Sequence, residues 1–443
     1  MMLSDLQQWG LDEAKPFLLE LEEGVLAADR VLRHLPGKRL VIDGTWRGQP
    51  VVAKLFFGDK KRPGPHEYTL LKTLSKEGVR VPHAQALLEQ GAHAVLLMDR
   101  VAGRSLGGQL ENAFDPALFQ RFLETLWQLY HAGWLQSDLH LGNFLVQDSG
   151  DIVCLDAGAM KPAPGPGKYG VLADNLALMC AQAPLAMQHT LITQCLAFMA
   201  RQGVKMPRFE ARCRKSLQRR MVKAHRKWQR NCTAIRVEPE PEVTYFSDRG
   251  GRCSELWKSY CRQPDALSLL KAGSRVSVYA NNDWVVKHYH ATGIKARTRQ
   301  KLGLSRASIS WRQGWLWALL GIPTPRPVML AEFSRGAKAG SSVIVFPRLA
   351  GRPLSELMEK ERPRAECLAG SVRQWLAHFQ WAGISHGDMK AQNILASETG
   401  VVSFIDLDGA AHSFVPGIIN ARNRKDRERF EKNWRQFSSS RLH

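Results

Sequence analysis

Apolar and polar residues alternate along residues 37–57, with glycines at positions 44 and 48. A period of two that is interrupted by glycine predicts the two strands of a β-hairpin. The apolar positions that follow recur at helical spacing as far as Gly78, so a helix is expected next. Three further elements complete this half. They are a strand in "HAVLLMDRV", a glycine-containing joint at 103–108 and a second helix in "PALFQRFLETLWQLYHAG".

The same order of elements returns in the second half of the chain. Strand-like alternation over 274–290 is followed by a helical stretch, "SRASISWRQGWLWALLGIPTP", a strand in "SSVIVFPRLAG" and a helix in "CLAGSVRQWLAHFQWAG". Residues 236–251, between the halves, are rich in proline, glycine and acidic residues, which favours an exposed linker. We therefore expect an α+β architecture in two domains, residues 1–235 and residues 252–443.

Length and composition agree with this division. A chain of 443 residues suits two domains of roughly 100 to 200 residues each, and 44% hydrophobic with 23% charged residues is typical of globular protein. The first residues lack the pattern of a secretory leader, and polar residues interrupt the most apolar region, 171–200, so no transmembrane helix is expected. The 8 cysteines show no zinc-ligand spacing, which favours reduced, buried thiols. A cytoplasmic or membrane-surface protein is predicted.

One short phrase occurs twice, as "LQSDLHLGNFLV" at 135–146 and "ISHGDMKAQNIL" at 384–395. In each copy an Asp is followed five residues later by an Asn, and a further Asp lies 18 residues after the first. Corresponding residues of the two copies are 250 positions apart, since 388 − 138 = 250. Turn-forming residues alone account poorly for two copies with equal spacing. The repeat therefore predicts a duplicated site.

These residue types suit phosphoryl transfer. Mg²⁺ takes hard oxygen ligands, which the Asn amide and the later Asp carboxylate offer. The attacking hydroxyl needs a carboxylate to accept its proton, and the nucleotide phosphates need an upstream lysine. The candidates are Lys54, Asp138 as base, and Asn143 and Asp156 as metal ligands in the first half, with Lys287, Asp388, Asn393 and Asp406 in the same roles in the second.

The motifs resemble the protein-kinase-like fold, with its strand lysine, its H-R-D-x-x-x-x-N loop and its D-F-G metal site. The spellings "SDLHLGN", "DAG" and "DLD" are similar to those of the small-molecule and sugar kinases of this superfamily. More narrowly, "LKAGSRVSVYANNDWVVKHYH", "HGDMKAQN" and "FIDLDG" resemble the lipopolysaccharide core kinases, over most of 267–435. The first half looks like a more diverged relative, from about 36 to 175.

This resemblance implies the following expectations. The chain would consist of two tandem protein-kinase-like domains, each with a small β-rich N-lobe and a mainly helical C-lobe. Its cofactors would be ATP and Mg²⁺, and its acceptor a hydroxyl of heptose or Kdo in the lipopolysaccharide inner core. Two alternatives use the same motifs: a soluble small-molecule kinase of the aminoglycoside phosphotransferase type, and a tandem pseudokinase that acts as an assembly scaffold.

The lysine sites of the two halves differ. A kinase lysine is normally held by a Glu on the following helix, and Glu67 is well placed to pair with Lys54. In the second half no Asp or Glu occurs between residues 283 and 332, and Ser310 aligns with Glu67. Lys287 therefore has another partner or is held loosely.

The repeated phrases differ as well. Gln136 occupies the position of the catalytic-loop His, which His386 supplies in the second half. His140 stands where kinases usually have Lys, and a structural hydrogen bond is its favoured role. Asp408 is either a second metal ligand or a backbone acceptor in its turn. Neither half is a full copy, and either is a candidate for an inactive domain.

The formal net charge of +21 calls for an anionic partner. Residues 212–230 contain nine Lys or Arg and no acidic residue, with apolar residues at helical spacing, and a further basic stretch occupies 420–437. The first of these helices either packs its apolar stripe under the first domain or docks on anionic lipid. No nucleic-acid-binding motif appears. The expected partner is the lipopolysaccharide core glycolipid or another anionic sugar acceptor, with peripheral contact to the inner face of the inner membrane.

Overall fold

The computed structural model describes residues 1–9, 16–58, 63–112, 114–165, 167–251 and 254–439. The chain divides into two compact units. The first comprises Met1–Cys180 and Thr190–Arg212, and the second comprises Ala181–His189 and the chain from Cys213 onward. Both units combine an antiparallel sheet with helices, so the predicted α+β class is confirmed.

The first unit begins with a short helix and a six-stranded antiparallel sheet. Arg47 and Gly48 have positive φ values of 50° and 78°, which is the two-residue turn that joins tightly twisted hairpin strands. This turn connects the two strands predicted from residues 37–57. The elements are α1 (Leu3–Gln7), β1 (Phe17–Leu21), β2 (Gly24–Leu35), β3 (Arg39–Trp46), β4 (Gln49–Phe56), α2 (Pro63–Lys76), β5 (Ala84–Gln90) and β6 (His93–Asp99), with strand order β1-β2-β3-β4-β6-β5.

Helices and short strand pairs make up the rest of the first unit. Asp115 caps the long helix of this region, because its Oδ1 accepts the N–H groups of Ala117 and Leu118 at 2.8 and 3.1 Å. The elements are β7 (Arg104–Ser105), α3 (Leu106–Asn112), α4 (Pro116–His131), β8 (Trp134–Gln136), β9 (Phe144–Val146), β10 (Ile152–Cys154), β11 (Met160–Pro162), α5 (Gly170–Cys180) and, from Thr190 onward, α6 (Leu185–Arg201). Helix α7 (Phe209–Lys227) belongs to the second unit from Cys213 onward.

The second unit contains a seven-stranded antiparallel sheet followed by helices. The elements as far as the end of this sheet are β12 (Ile235–Pro239), β13 (Val243–Asp248), α8 (Ser254–Arg262), β14 (Ser268–Lys271), β15 (Val276–Ala280), β16 (Trp284–Tyr289), α9 (Gly293–Lys301), α10 (Arg306–Leu319), β17 (Met329–Phe333) and β18 (Ser342–Pro347). The strand order in the sheet is β12-β13-β17-β18-β16-β15-β14. The later elements are β19 (Arg352–Pro353), α11 (Leu354–Lys360), α12 (Arg362–Ala382), β20 (Ile384–Ser385), β21 (Ile394–Ala396), β22 (Val402–Phe404), β23 (Ala411–His412) and α13 (Pro416–Ser439).

The segment expected to be a linker, 236–251, differs from that expectation. Most of it lies in the hairpin of β12 and β13, and β13 pairs with β17, with Val243 opposite Phe333. Val243 and Tyr245 are buried on one face of this strand. The alternation "VTYFSD" is a strand pattern, whereas the prolines and acidic residues that suggested a linker belong largely to the hairpin turn and its flanks.

The apolar stripe of the basic helix α7 lies in the core of the second unit. Leu217, Met221 and Trp228 are buried there, and the backbone oxygen of Trp228 accepts a hydrogen bond from the indole of Trp311 at 3.1 Å. The expectation that this stripe packs under the first domain is therefore corrected. The stripe is also unavailable for insertion into lipid, because its apolar side chains are already buried.

The C-terminal basic helix α13 is anchored in the same way. Phe430 is fully buried in the core of the second unit, and Trp434 packs against that core. Among the described residues, no helix combines the length and apolar character needed to cross a bilayer. The described cysteines are all free thiols; most are buried, and Cys367 is exposed.

Two half-buried histidines of the second unit predict a loss of stability in mild acid. Burial, assisted by Arg312, lowers the pKa of His225 to about 4, and burial, assisted by His290, lowers the pKa of His288 to about 4. In the unfolded chain each returns to about 6.5. The unfolded state then binds more protons, so stability is fully present above about pH 6.5 and is lost as the pH falls toward about 4.

Thermal unfolding followed between about pH 7 and pH 4.5 checks this expectation. The midpoint of the second unit should fall steadily below about pH 6.5, and His225→Gln, which cannot take up the proton, should flatten the decline. A decline of equal steepness in His225→Gln would contradict the assignment to that residue.

Candidate active sites

Lys54, near the end of β4, lies in a buried ion-pair network of the first unit. Its Nζ is 2.5 Å from Oε1 of Glu67 on α2 and 3.1 Å from Oδ1 of Asp156. Lys54 and Glu67 are both buried, and a buried charge persists only when it is paired. The network therefore fixes the lysine beside the turn that begins at Asp156. Three residues predicted in separate elements meet at one point.

The loop of the first repeated phrase approaches this network. Asn143 donates from Nδ2 to the backbone oxygen of Asp138 at 3.1 Å, and its own backbone oxygen accepts the N–H of Leu155 at 2.8 Å. Leu155 directly precedes Asp156, so the amide and the carboxylate are held close together. The carboxylate of Asp138 is exposed and forms no ion pair among the described residues.

Gln136 makes contacts similar to those of a histidine in the second unit, with a backbone acceptor one position further along the chain. Its Nε2 donates to the backbone oxygen of Asp156 at 2.7 Å, and its Oε1 accepts the N–H of Asp138 at 3.3 Å. In the second unit, Nε2 of His386 lies 3.0 Å from the backbone oxygen of Ile405, and its Nδ1 accepts the N–H of Asp388 at 3.3 Å. One donor and one acceptor are needed at this position, and a glutamine amide supplies both. The substitution by itself is thus structurally conservative.

His140 has the structural role favoured from the sequence. Its Nδ1 accepts the N–H of Gly142 at 2.9 Å and caps the short turn Leu141–Asn143. A ring nitrogen that accepts a hydrogen bond in this way helps to hold the loop in shape.

A cleft of about 400 Å³ joins the predicted residues of the first unit. Lys54, Asn143 and Asp156 line its polar end. The rest of the lining is mixed. Its charged residues are Arg30, Arg33, Arg39, Asp43, Asp99 and Arg100, and its apolar residues are Leu32, Val41, Val52, Pro82, Met98, Val101, Leu145 and Leu155. A pocket with apolar walls and several charged groups suits a planar ring with a charged tail.

Gly158 leaves room for the Lys54–Glu67 pair. A Cβ atom at this position would stand 2.9 Å from Oε2 of Glu67 and 3.0 Å from its Cδ. Gly158→Ala therefore has to displace the buried carboxylate. We expect a loss of about 1–3 kcal/mol in the free energy of unfolding, together with weaker binding of a fluorescent ATP analogue.

Gly170→Ala is the matched control for this change. A Cβ atom at Gly170 meets no atom within 4 Å, so stability and nucleotide binding should stay close to wild type. Chemical denaturation and nucleotide titration of both variants make the comparison. Equal behaviour of the two variants would remove the role assigned to Gly158.

Lys287 on β16 lies beside Asp406 in the second unit, with its Nζ 2.8 Å from Oδ1. Burial raises the pKa of the Asp406 carboxyl, but Lys287 offsets this through its charge and hydrogen bond, so the pKa lies below its ordinary value. Asp406 also adopts a left-handed backbone conformation with φ 66°, which is uncommon for a residue other than glycine and recurs at functional turns. The second unit therefore keeps an ionised carboxylate next to its strand lysine.

The helix has a different role in the second unit, where it contributes a cation to the turn rather than a carboxylate to the strand lysine. Arg306, at the start of α10, forms an ion pair with Oδ2 of Asp408, which also accepts a hydrogen bond from the hydroxyl of Tyr289 at 3.3 Å. In the first unit the helix supplies the carboxylate. Ser310 lies on the buried face of α10, one turn after Arg306. Burial and the neighbouring charge of Asp406 raise the pKa of Asp408.

The carboxylate of Asp388 is held from several sides. Its Oδ1 is 2.8 Å from Nη1 of Arg429, and its Oδ2 is 3.0 Å from Nζ of Lys390. Asn393 donates from Nδ2 to the backbone oxygen of Asp388 at 2.9 Å and to its Oδ2 at 3.2 Å. These contacts orient the carboxylate, whereas Asp138 has no comparable set.

Residues of helix α13 form hydrogen bonds with the loop of the second repeated phrase. The buried carboxylate of Asp426 accepts the N–H of His386 at 2.7 Å and the N–H of Gly387 at 2.9 Å. Arg422 donates to the hydroxyl of Ser385 at 2.8 Å and to the backbone oxygen of Gly409 at 2.7 Å. Sequence reasoning missed these residues and Arg429. The sequence gives no distinctive local signal, because Asp426 is one of three acidic residues, with Glu428 and Glu431, in the basic stretch 420–437.

The donor set fits Mg²⁺ bound together with phosphates. Among the described residues no group of three or more His, Cys, Asp or Glu side chains is placed to hold a metal ion. Mg²⁺ at nucleotide sites needs only one or two carboxylates in addition to phosphate oxygens. Because Nδ2 of Asn393 donates within its loop, its Oδ1 is left as a ligand. The bond from Ile405 N–H to the backbone oxygen of Asn393, at 2.9 Å, brings that residue close to Asp406.

Comparison with known families gives two matches along the chain. The ABC1 atypical kinase-like domain matches residues 70–173, and the lipopolysaccharide kinase (Kdo/WaaP) family matches residues 269–439. No curated protein matches the chain. The second match agrees with the resemblance noted in the sequence, while the first gives the N-terminal half a different kinase-like family. The chain thus carries two kinase-like domains in tandem.

Proposed function

Since two kinase-like domains lie in tandem and the lipopolysaccharide kinase family matches the second, we propose that this protein phosphorylates a sugar hydroxyl, of heptose or Kdo, in the lipopolysaccharide inner core. ATP is the phosphoryl donor and Mg²⁺ the metal. The observation that carries the proposal is the arrangement in the second unit, where Lys287 pairs with Asp406 and Asn393 holds Asp388.

Asp388 is the proposed base of the second unit. It orients the acceptor hydroxyl and takes its proton while the hydroxyl oxygen forms a bond to the terminal phosphorus of ATP. The bond from that phosphorus to the bridging oxygen breaks, and ADP leaves with the electron pair. Lys287 holds phosphate oxygens, and Asn393 with Asp406 would hold Mg²⁺, which when bound neutralises phosphate charge.

The first unit carries the corresponding set, with a more tightly held lysine. Lys54, held by Glu67, binds the phosphates, Asn143 with Asp156 would hold Mg²⁺, and Asp138 is in the position of the base. We assign nucleotide binding to this unit. If the first unit catalyses a second transfer, Asp138→Asn should remove one phosphate from the product. If it only supports the second unit, Asp138→Asn should leave transfer intact.

An acceptor anchored in the cytoplasmic leaflet places the protein at the inner face of the inner membrane. The apolar faces of α7 and α13 are buried, so attraction to that surface rests on exposed cations such as Lys215, Arg219 and Lys223. Each cation near an anionic bilayer contributes about 1 kcal/mol. This contact is electrostatic and should weaken with salt.

The test is ATP turnover with purified lipopolysaccharide core acceptor, compared with turnover without acceptor and with an aminoglycoside. We expect Mg²⁺-dependent phosphate transfer to the core sugar alone, located by mass spectrometry of the product. Transfer to the aminoglycoside alone would replace the proposal with a soluble small-molecule kinase. If the well-folded protein transfers phosphate to neither, the scaffold alternative takes its place.

A further inference from the structure

A cavity of about 370 Å³ in the second unit lies next to the turn that contains Asp406 and Asp408, and neither of these residues lines it. It is lined by residues just before β15, at the end of β16, on α9, at the start of α10 and around the start of β18. Tyr289 and Arg306 belong both to this lining and to the contacts of Asp408. The cavity and the site of Asp406 therefore share one wall.

The lining of this cavity is cationic. Four of its residues are Arg or Lys, and no Asp or Glu is among the described residues that line it. Arg306 is paired with Asp408, and Arg299 donates to the backbone oxygen of Leu304 at 3.2 Å. Arg275 and Lys295 are exposed and form no ion pair among the described residues. The cavity thus offers two cations that no carboxylate of the described chain neutralises.

The sequence around the cavity explains this surplus of charge. No Asp or Glu occurs between residues 283 and 332, a stretch that includes β16, α9 and α10. Cations that line a concave surface without acidic neighbours create a positive potential, which attracts anions. A phosphate or carboxylate group can accept hydrogen bonds from two such cations at once.

The position along β16 indicates which substrate the anion belongs to. Trp284 pairs with Pro347, just before the joint to the helices, and Tyr289 pairs with Ser342 at the opposite end. Lys287, the proposed phosphate ligand, and Tyr289 lie on the same face of the strand, so Tyr289 is roughly 7 Å further from the joint. Since the phosphates are assigned to Lys287, the cavity lies past that lysine from the joint, and its anion is assigned to the acceptor rather than to the nucleotide.

We propose that this cavity binds a phosphate or carboxylate group of the acceptor through Arg275 and Lys295, and that it makes the second unit selective for anionic sugars. The inference rests on the proposed function for the identity of the sugar. The binding of an anion at this place does not depend on it.

The experiment measures binding by calorimetry with three probes: inorganic phosphate, Kdo, which carries a carboxylate, and the neutral methyl ester of Kdo. Arg275→Gln with Lys295→Gln is the test variant. Arg297→Gln with Arg335→Gln is the matched control, because both residues are exposed in the same unit and do not line the cavity. Affinity for a fluorescent ATP analogue is measured in parallel.

The wild type should bind Kdo more tightly than the ester, and the test variant should lose about tenfold or more in affinity for Kdo and for phosphate. The control variant and all ATP affinities should stay within about twofold of wild type. Three results overturn the proposal: unchanged Kdo and phosphate affinity in the test variant, an equal loss in the control variant, or a parallel loss of ATP affinity, which would assign the cavity to the nucleotide. If the wild type transfers no phosphate to the core while anion binding depends on Arg275 and Lys295, the proposed function fails and the cavity assignment stands.

Discussion

Asp388→Asn should lower the rate of phosphoryl transfer by about 10²–10⁴-fold, the usual contribution of a general base. Asparagine keeps the size of the side chain and can still accept from Asn393, but it cannot take the proton of the acceptor hydroxyl. Removing the carboxylate also leaves Arg429 and Lys390 without their partner at 2.8 and 3.0 Å. Binding of ATP should change little, because its phosphates are assigned to Lys287. Steady-state turnover and nucleotide titration separate the two effects.

Asp138→Asn is the companion variant, and the double change completes the set. If Asp388→Asn abolishes transfer and Asp138→Asn leaves it intact, the first unit supports a single active site. If each change removes a different phosphate from the product, both units are active. Transfer that survives in the double variant would falsify the assignment of either carboxylate as a base.

Asp426→Ala should destabilise the second unit by about 2–4 kcal/mol and reduce transfer as well. The carboxylate is buried and accepts the N–H groups of His386 and Gly387 at 2.7 and 2.9 Å. Leaving buried donors unsatisfied costs about 1–3 kcal/mol each, and a charged acceptor strengthens both bonds. The loop that carries Asp388 would lose its fixed position. Chemical denaturation gives the stability, and turnover gives the loss of activity.

Glu428→Ala provides the matched control, because Glu428 lies on the same helix with 66% of its side chain exposed. It should change stability by less than about 0.5 kcal/mol. Asp426→Asn should lie between the two variants, since its one carbonyl oxygen can satisfy one of the two donors. A stability of Asp426→Ala equal to that of Glu428→Ala would mean that the N–H groups find other acceptors.

The parts of the fold that could be predicted from the sequence depend on local patterns. Alternation predicted the hairpin of β3 and β4, and its glycine at position 48 lies in the turn between them. The lysine and helix glutamate of the first unit follow a familiar order, and the structure brings Lys54 and Glu67 together. The kinase-like class followed from motifs whose residues stand close in sequence.

The segments that were predicted less well depend on distant partners. Residues 236–251 looked like a linker because composition does not reveal a strand partner, here β17, whose residues lie 82 to 90 positions after those they pair with, from 329 − 247 to 333 − 243. For α7, the periodic stripe correctly indicated a buried face. Which unit buries it depends on Trp311 and its neighbours, and no local spacing encodes that choice.

The side-chain contacts around Lys287 also depend on partners that are distant in the sequence. Aligning Ser310 with Glu67 correctly indicated a missing carboxylate on the helix. Helix α10 instead contributes a cation, Arg306, which pairs with Asp408 102 positions later, while Lys287 pairs with Asp406. Asp408 was expected to be either a second metal ligand or a backbone acceptor in its turn, and the contacts of its carboxylate with Arg306 and Tyr289 were not foreseen.

The hydrogen bonds between α13 and the loop of the second repeated phrase can form only late in synthesis of the chain. Asp426 follows His386 by 40 residues and Arg429 follows Asp388 by 41. At about 5–20 residues per second, the ribosome needs roughly 2–8 s to add them. During that interval the nascent chain already contains the predicted catalytic residues of both units, but the second loop lacks the contacts that Asp426 and Arg429 provide. A stop codon placed between β23 and Asp426 would therefore yield a polypeptide with every predicted catalytic residue and a second site that cannot assemble.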